Sequence, residues 1–473
     1  ATLKLNDEAA PAAFLVGQMI SIAKKYDADV PSKAAAVFAE LCERSGGNVS
    51  SLAKAFSSDS ISVTKLFDLV KARDLARYSD DVGYDMCNVA IVAGKALASD
   101  DYIQNAVNTS LALELMADRG VAVPGWSEAA SPPAAPKRTE EPAEIACSLS
   151  GHGLSVVQVG FDSNGQLVRL SAVGGQLELP VREPDEIIQE KRFKNWALKY
   201  PYQYGIDETS PNLFYTTTAD LRLSELPLGP VLVVADATLQ LFPPNILFLG
   251  DDFSGRTRPM ATAPSLAWVK AAQERQPLGD GRLCAWISSA VSDSESATLP
   301  MIAERLNPTL NEHGFIVDKS GTLPANFKGA TMAVITAHGG IHQEEGFFQV
   351  VSDEGVLRVT PDALAAALRN VGTVVLFVCS GGRADKHPGA HTTLGLAKQI
   401  LDRGCEAVIA SPWPLDSRVP SHWLPTFLEQ WSTGEPLIQA NFAANKIVDR
   451  CFSLDPARGL AMTVIGNPLV RRM

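Results

Sequence analysis

The sequence contains no run of 18 consecutive apolar residues, so it predicts no membrane-spanning helix and no membrane partner. Residues 1–25 lack the basic start, apolar centre and cleavage site of a secretory signal peptide. Neither the phosphate-binding pattern GxxxxGK(S/T) nor the dinucleotide pattern GxGxxG occurs, so nucleotide binding has no support. The sequence therefore predicts no cofactor.

Basic residues are too few to balance the acidic ones, with 41 Lys and Arg against 53 Asp and Glu and a net charge of −12. Proteins that bind a phosphate backbone usually carry a basic field, so no direct nucleic-acid partner is predicted. The seven cysteines are scattered, odd in number and without CxxC spacing. This usage favours the reducing cytoplasm over a disulfide framework.

The N-terminal quarter of the chain reads as helical. Over residues 9–120 apolar residues recur at spacings of three and four, and helix-stopping stretches such as DVPS at 29–32 and SGG at 45–47 separate the segments. We predict an all-α domain over residues 1–125. Residues 84–117 fit either a TPR-like hairpin or part of an irregular bundle, because no 34-residue period is visible. The domain is either a sensor or docking module or simply a packed helical unit.

A change in composition marks the boundary of this domain. Residues 126–143 are rich in Pro, Ala and charge, with SPPAAP at 131–136, which predicts a semi-rigid linker. Beyond the linker, residues 150–182 alternate between apolar and polar around the turn SNG at 163–165, as a β-hairpin does. From residue 281 onward, strand-length and helix-length segments alternate, which predicts an α/β domain with a parallel sheet over residues 144–473.

Two motifs stand at the ends of predicted buried strands: TAHGG at 336–340 and VCSGG at 378–382. The carboxyl ends of parallel strands are where open α/β sheets place their chemistry, so His338 and Cys379 are candidate reactive residues. A free thiol is only a few per cent thiolate at neutral pH and needs a partner such as an imidazole. Taken singly, Cys379 is better explained as an inert core cysteine and His338 as a hydrogen-bonded core histidine. Their joint placement favours a His-Cys dyad.

These motifs and three further segments resemble the CHAT-domain family, the caspase-like cysteine peptidases related to separase and found mostly in bacteria. The segments are VLVVADATLQLFP at 231–243 with APS at 263–265, AVIASPWPLD at 407–416, and VIGNP at 464–468. The resemblance implies a caspase-like parallel-sheet sandwich with helices on both faces over residues 144–473. It divides this domain into a first half, 144–280, and a catalytic half, 281–473.

The resemblance also implies roles for single residues. Cys379 is then the nucleophile, His338 the general base and acid, and the backbone N–H groups of Gly339 and Cys379 the oxyanion hole. Asp416, together with Trp413, is the candidate for binding a basic substrate side chain at P1, the residue before the cleaved bond. A helix-capping acid is the alternative for Asp416. Two departures put basic specificity in question: Cys-Ser-Gly-Gly replaces the usual Cys-Glu-Thr-Gly, and Asp416 stands one place early.

Three further interpretations complete the expectations. A zinc site at His338 and His342 or at His387 and His391 is disfavoured, because Gly339 and Gly340 would break the helix that such spacing needs. A catalytically silent caspase-like scaffold for protein assembly is the alternative to a peptidase. We expect a peptidase to act on a protein substrate and to stay latent until a protein partner engages the N-terminal helical domain. The family resemblance associates such proteins with bacterial antiviral defence or cell death.

Overall fold

A computed structural model describes residues 90–118, 121, 141–184, 190–193, 196, 214–215, 222–288, 298–341, 348–351, 358–386 and 393–472. The helices predicted before residue 90 and most of the predicted linker lie outside the described residues. So do His342, His387 and His391. No helix among the described residues is long and apolar enough to cross a membrane.

A helical stretch over residues 90–97 precedes eleven labelled helices. Among the described residues these are α1 Asp100–Ile103, α2 Ala106–Met116, α3 Pro142–Gly151, α4 Ser254–Thr257, α5 Leu266–Gln273, α6 Thr298–Glu312, α7 Pro361–Ala367, α8 Leu396–Asp402, α9 Val419–Ser432, α10 Leu437–Cys451 and α11 Pro456–Gly459. Short 3-10 helices span Leu239–Leu241 and Pro244–Ile246.

The strands of the described residues belong to one large sheet and three small ones. In chain order they are β1 Ser155–Phe161, β2 Leu167–Val173, β3 Gln176–Leu177, β4 Val181–Arg182, β5 Val231–Ala235, β6 Phe248–Leu249, β7 Asp252–Phe253, β8 Met260–Ala263, β9 Leu283–Ile287, β10 Ile316–Asp318, β11 Met332–Thr336, β12 His338–Ile341, β13 Phe348–Val351, β14 Arg358–Val359, β15 Thr373–Phe377, β16 Asp385–Lys386, β17 Thr393–Leu394, β18 Ala407–Ala410 and β19 Thr463–Gly466.

The large sheet has twelve strands in the order β10-β9-β11-β15-β18-β19-β8-β5-β1-β2-β3, with β4 also paired to β2. Strands β10, β9, β11, β15 and β18 are mutually parallel, and so are β19, β8, β5 and β1. The two groups join antiparallel at β18 and β19. The predicted α/β class with a mostly parallel sheet is confirmed, and the carboxyl ends of the two groups lie at opposite edges.

The central strands form because their residues suit a sheet that is buried on both faces. Every residue of β11 and of β15 is buried, and both strands are rich in β-branched and aliphatic side chains. Burying each Val, Ile or Leu side chain contributes roughly 1.5–3 kcal/mol. Moving either strand by one residue would place Thr336 or Thr373 among different neighbours, so the packing fixes the register that positions the strand ends.

Helix α2 packs into the same core as the first half of the sheet. Eight of its eleven residues are buried. The five apolar ones, Leu111, Ala112, Leu113, Leu115 and Met116, share one cluster with Val168 and Leu170 of β2. Ser110 donates a hydrogen bond to Gln158 of β1 at 2.6 Å, and the buried Glu114 accepts from the backbone N–H groups of Leu266 and Ala267 at 2.9 and 3.0 Å. This part of the predicted helical domain is therefore fixed to the α/β core.

A local prediction can be compared with the described elements. The hairpin around residues 163–165 is confirmed, with Phe161 opposite Leu167. Thr360 caps α7 and accepts a hydrogen bond from Ala363 N–H at 3.2 Å. Residues 393–394 pair with β16 as strand β17, and α8 begins after them at Leu396.

Candidate active site

Two neighbouring parallel strands bring His338 and Cys379 to one edge of the sheet. In the β11–β15 ladder Thr336 is the partner of Phe377, and the N–H of Ala337 donates to the carbonyl of Phe377 at 3.4 Å. His338 and Cys379 each follow two residues after this last pair. Because adjacent strands lie about 4.8 Å apart, matching positions beyond a shared register are close in space. His338 and Cys379 therefore stand at matching positions beyond neighbouring strands, and a dyad between their side chains stays a prediction.

Cys379 begins a tight turn that residues 411–413 hold from behind. The N–H of Ser380 donates to the carbonyl of Trp413 at 3.0 Å, and the N–H of Gly382 donates to the carbonyl of Ser411 at 2.8 Å. Ser380 has a φ of 57°, a left-handed conformation that costs a non-glycine residue about 1 kcal/mol or more. A Cβ on Gly382 would lie 3.0 Å from the carbonyl oxygen of Ala410, so this glycine allows the turn to pack against β18.

The sulfur of Cys379 is half-buried and surrounded by peptide groups. The N–H of Leu415 donates to Sγ at 3.4 Å, and the carbonyl oxygen of Leu415 lies 3.9 Å from the same atom. Burial raises the pKa of the Cys379 thiol above its ordinary value, while hydrogen bonds from the backbone N–H groups of Leu415, Gly339 and Cys379 oppose that rise. The peptide N–H groups of Gly339 and Cys379 are therefore within reach of the reacting atom.

His338 is the first residue of a small antiparallel sheet that rises from the end of β11. It pairs with Val351 as β12 runs beside β13, and its side chain is half-buried. Gly340 is exposed, and a Cβ there would meet nothing within 4 Å. His338 thus lies half-buried directly after β11, with an exposed glycine two residues further along the chain.

Asp416 is buried and already binds two arginines of its own chain. Arg418 contacts both carboxylate oxygens, at 3.0 and 2.7 Å, and Arg458 donates to Oδ2 at 2.6 Å. The carboxylate also accepts from the backbone N–H of Arg418 at 2.9 Å, just before α9 begins. Burial opposes ionisation, but the hydrogen bonds from Arg418 and Arg458 outweigh it and hold the pKa of Asp416 well below its usual range.

Trp413 lies inside the protein, with 1% of its surface exposed. Its indole N–H donates to the carbonyl of Ala457 at 2.7 Å, and its ring packs edge-on against Phe214 with centroids 5.0 Å apart. These contacts fix the segment that supports Ser380. A part for Trp413 in substrate binding stays a prediction.

Among the described residues, no group of three or more His, Cys, Asp or Glu side chains is placed to hold a metal ion. This result does not test the two histidine pairs that the sequence disfavours as zinc sites. His342, His387 and His391 lie outside the part of the chain that the structure describes.

A cavity beside the turn at residues 379–382 reveals contacts that sequence reasoning did not find. Gly382 and Arg383 form one wall, and Asp118, Thr393 and Lys398 form another. Asp118 follows the last turn of α2 and is 1% exposed. Its carboxylate accepts from the N–H and hydroxyl of Thr393 at 3.1 and 3.2 Å. The end of α2 is thereby hydrogen-bonded to Thr393, which lies between the turn at residues 379–382 and α8.

Lys398 adds charge to the same wall. Its ammonium group lies 2.8 Å from the carboxylate of Asp402. Burial disfavours the charged form of Lys398, but the carboxylates of Asp402 and Asp118 outweigh it and raise the pKa of the amine above its ordinary value. Lys398 is therefore a paired cation.

A family model described as the CHAT domain matches residues 208–446 of the 473. A search of curated proteins finds no match. Among solved structures, a chain of the Saccharomyces cerevisiae separase–securin complex is similar, with 9% identity over 92% of this chain and a TM-score of 0.46. This chain spans 36% of that chain's length.

Two further solved structures concern gingipain. The Arg-specific cysteine proteinase gingipain R (RgpB) is similar with 14% identity, over 61% of this chain and 70% of that chain, and a TM-score of 0.32. The complex of Porphyromonas gingivalis RgpB pro- and mature domains gives 14% identity, coverage of 59% and 69%, and a TM-score of 0.28.

Proposed function

Because this chain belongs to the CHAT-domain family, we propose that it is a cysteine endopeptidase that cleaves a protein substrate with His338 and Cys379. The observation that supports the proposal is the shared register of β11 and β15, because His338 and Cys379 each follow two residues after the last pair of that ladder. Both residues are half-buried, so neither is sealed in the core. The turn that begins at Cys379 is braced by peptide hydrogen bonds, as a reacting group requires.

The proposed reaction is acyl transfer followed by hydrolysis. His338 accepts the proton of Sγ, the thiolate attacks the peptide carbonyl carbon, and the oxygen becomes an oxyanion bound by the N–H groups of Gly339 and Cys379. The C–N bond then breaks as the imidazolium gives its proton to the leaving nitrogen. A water molecule, deprotonated by His338, hydrolyses the thioester and releases the acid product with a free thiol.

A peptide-library digestion tests this function directly. The wild-type chain should cleave a subset of peptides, and Cys379→Ala should cleave none while unfolding at nearly the same temperature. Cleavage by the alanine variant at the wild-type rate would end the peptidase proposal. The profile of cut sites would also identify the substrate class.

The scaffold alternative predicts a different thiol chemistry. A Cys379 activated by His338 should be alkylated by iodoacetamide at mildly acidic pH before the other cysteines, and His338→Ala should remove that selectivity. The buried Cys405 is the internal control, because burial raises the pKa of its thiol to about 12. Equal reactivity of Cys379 and Cys405 in the native protein would favour the scaffold.

We also propose that the peptidase is latent until a protein partner acts on the N-terminal helical domain. The hydrogen bonds that Thr393 donates to Asp118 support a physical link between α2 and the segment after the proposed nucleophile. A partner needs to favour a competent arrangement by only about 3 to 5 kcal/mol to turn a minor state into the main one. The loops expected to order on activation are residues 343–347 and 383–391, of which 343–347 and 387–391 lie outside the described residues.

A truncation that keeps α2 tests the latency. Removing residues 1–89 deletes most of the predicted helical domain and keeps α2, whose loss would expose the apolar face of β2. Under the latency proposal the truncated chain cleaves peptides at a rate different from that of the full chain, both without partner. Equal rates would show that residues 1–89 are not the control element.

The proposal for P1 selection rests on Asp416. A basic P1 side chain would compete with Arg418 and Arg458 for the same carboxylate. Profiling Asp416→Asn against basic and apolar P1 substrates decides the matter. An unchanged preference would leave Asp416 with a structural role only.

The proposed setting is the bacterial cytoplasm, with a part in antiviral defence or cell death. Its support is the CHAT resemblance and the scattered cysteines, which suit a reducing compartment. Comparing phage survival in cells that carry the wild-type gene or the Cys379→Ala gene tests the defence role. Equal survival in both strains would count against it.

A further inference from the structure

The loop that leaves β18 contacts the nucleophile itself as well as the turn behind it. We call residues 411–416 the exit loop. In it the carbonyl of Ser411 accepts the N–H of Gly382, and the carbonyl of Trp413 accepts the N–H of Ser380. Its fifth residue, Leu415, directs its N–H at the sulfur of Cys379 from 3.4 Å. The N–H of Leu415 has no other acceptor among the hydrogen bonds of the described residues.

Hydrogen bonds and ion pairs hold the exit loop in place. Ser411 donates its hydroxyl to the carbonyl of Trp413 at 2.8 Å, Trp413 is anchored to Ala457, and Asp416 is bound by two arginines. The side chain of Leu415 is also buried, with 7% exposed. Leu415 therefore lies between two fixed points, so its N–H is held toward Sγ.

We propose that the peptide N–H of Leu415 is a catalytic group that stabilises the thiolate of Cys379. This inference rests on the proposed function, because it gives a chemical part to a neighbour of the proposed nucleophile. A thiolate accepts hydrogen bonds more strongly than a thiol, so a fixed N–H favours the ionised form. The contribution matters here because the burial of Cys379 works against ionisation.

Other groups around the sulfur carry charge and enter the same balance. Among the described residues, those on the elements around Cys379 are His338 on β12, Arg383 and Asp385 beyond the nucleophile turn, and Asp416 and Arg418 beyond Leu415. Asp416 binds both Arg418 and Arg458, Arg458 also pairs with Asp455, and Arg383 pairs with Asp385 at 2.7 Å. Among the groups that favour the thiolate are then His338 and the backbone N–H groups of Leu415, Gly339 and Cys379.

The first test compares two substitutions that differ in one backbone donor. Leu415→Pro removes the N–H, and Leu415→Ala keeps it while also losing the buried leucine side chain. The measurement is the pH at which iodoacetamide alkylates half of Cys379 in a fixed time, read by mass spectrometry on the full chain. We expect this pH to be about one unit higher in Leu415→Pro than in Leu415→Ala. Equal values in two folded variants would overturn the proposal.

A second measurement avoids substituting the donor at all. The sequence contains five Pro-Leu pairs, at Leu228, Leu278, Leu415, Leu437 and Leu469. Labelling proline carbonyls with ¹³C and leucine amides with ¹⁵N therefore gives five selected amide signals, and the signal lost in Leu415→Ala belongs to Leu415. We expect this signal to shift with pH at the midpoint of Cys379 alkylation.

Cys379→Ala is the matched control for the amide titration. The pH-dependent shift of Leu415 should disappear in that variant. If the shift persists, it reports His338 instead, and the proposal is wrong. Neither measurement needs a substrate. If the Leu415 amide shifts at the midpoint of Cys379 alkylation but no peptide is cleaved, only the peptidase function is refuted. If peptides are cleaved but the amide does not shift with Cys379, only the role of Leu415 is refuted.

Discussion

The two halves of the large sheet use their strand ends in opposite ways. In the first half β5 is followed by Asp236, which is 3% exposed and accepts from the N–H groups of Phe161, Thr238 and Leu239 at 2.9, 2.7 and 2.8 Å. In the catalytic half β15 is followed by Cys379, which is half-buried. The carboxylate of Asp236 accepts three backbone N–H groups, whereas Sγ of the half-buried Cys379 accepts the N–H of Leu415.

The difference shows how the same position in a parallel sheet becomes either structural or reactive. A polar group that backbone donors saturate at the end of a strand stabilises a turn, and its chemistry is spent there. A weak hydrogen-bond acceptor such as the sulfur of a half-buried cysteine is not saturated by its peptide neighbours, so it stays available to react. Substitutions at the two ends should therefore affect different properties of the protein.

The largest expected effect is the loss of activity in His338→Ala. Proton transfer by a positioned side chain contributes roughly 10²–10⁴-fold, so kcat/KM for a cleaved peptide should fall by about 10³-fold. The melting temperature should change little, because His338 is half-buried at a rim. His422→Ala is a suitable control, since His422 lies on α9. Full activity in His338→Ala would remove the catalytic meaning of the comparison.

The next largest effect is the loss of stability in Asp236→Ala. Three buried N–H groups would lose their acceptor, and each such loss costs about 1–3 kcal/mol before relaxation. We expect the free energy of unfolding to fall by about 3 kcal/mol, measured by urea unfolding. Asp251→Ala is the matched control, because Asp251 is an exposed turn residue of the same half. Equal stability of the two variants would mean that Asp236 is not a structural acceptor.

Sequence reasoning found the strand-end positions of His338 and Cys379 because β11 and β15 are short, apolar and β-branched. Such strands are recognised by composition, and a shared edge follows from parallel pairing. The depth of α2 was not found. A helix buried on nearly all sides has no polar face, so its pattern does not separate a helical domain from a helix on a sheet.

Two contacts of the candidate site could not be predicted for different reasons. Asp118 and Thr393 are 275 residues apart, and nothing local to either residue indicates the other. The N–H of Leu415 is a backbone donor, and every residue except proline has one. The hydrogen bond to sulfur therefore does not depend on the leucine side chain, and the sequence does not reveal it. The motif at 407–416 marked the segment, while only its folded path shows which peptide group meets the sulfur.

A smaller effect is expected at the opposite edge of the catalytic half, where Glu406 precedes β18. Its carboxylate is buried, with 2% exposed, and accepts one N–H from Leu278 at 3.0 Å. Burial raises the pKa of Glu406 from 4.5 to about 7, and the N–H of Leu278 only partly opposes this. The folded protein thus holds the proton more tightly than the unfolded chain does, and this stabilisation is lost as the pH rises from about 4.5 to about 7.

Glu406→Gln should remove that pH-dependent component. Between pH 5 and pH 8 the free energy of unfolding of the wild type should fall by about 2–3 kcal/mol more than that of the variant, as measured by urea unfolding at both values. Glu429→Gln on α9, which is exposed, is the control. Parallel pH dependence in wild type and Glu406→Gln would contradict the assignment.

The smallest effect concerns the bond between the two regions, from Asp118 after α2 to Thr393 before α8. Asp118→Ala removes both hydrogen bonds, whereas Thr393→Val removes the hydroxyl and keeps the backbone N–H. Residues in direct contact show coupling energies of 0.5–3 kcal/mol, and the retained N–H places this pair near the lower end, at about 1 kcal/mol. A double-mutant cycle on the free energy of unfolding measures it. The cycle sharpens the comparison of the halves: a coupling near zero would mean that the end of α2 only rests against the catalytic half, and the proposed link from the helical domain to the nucleophile turn would lose its structural basis.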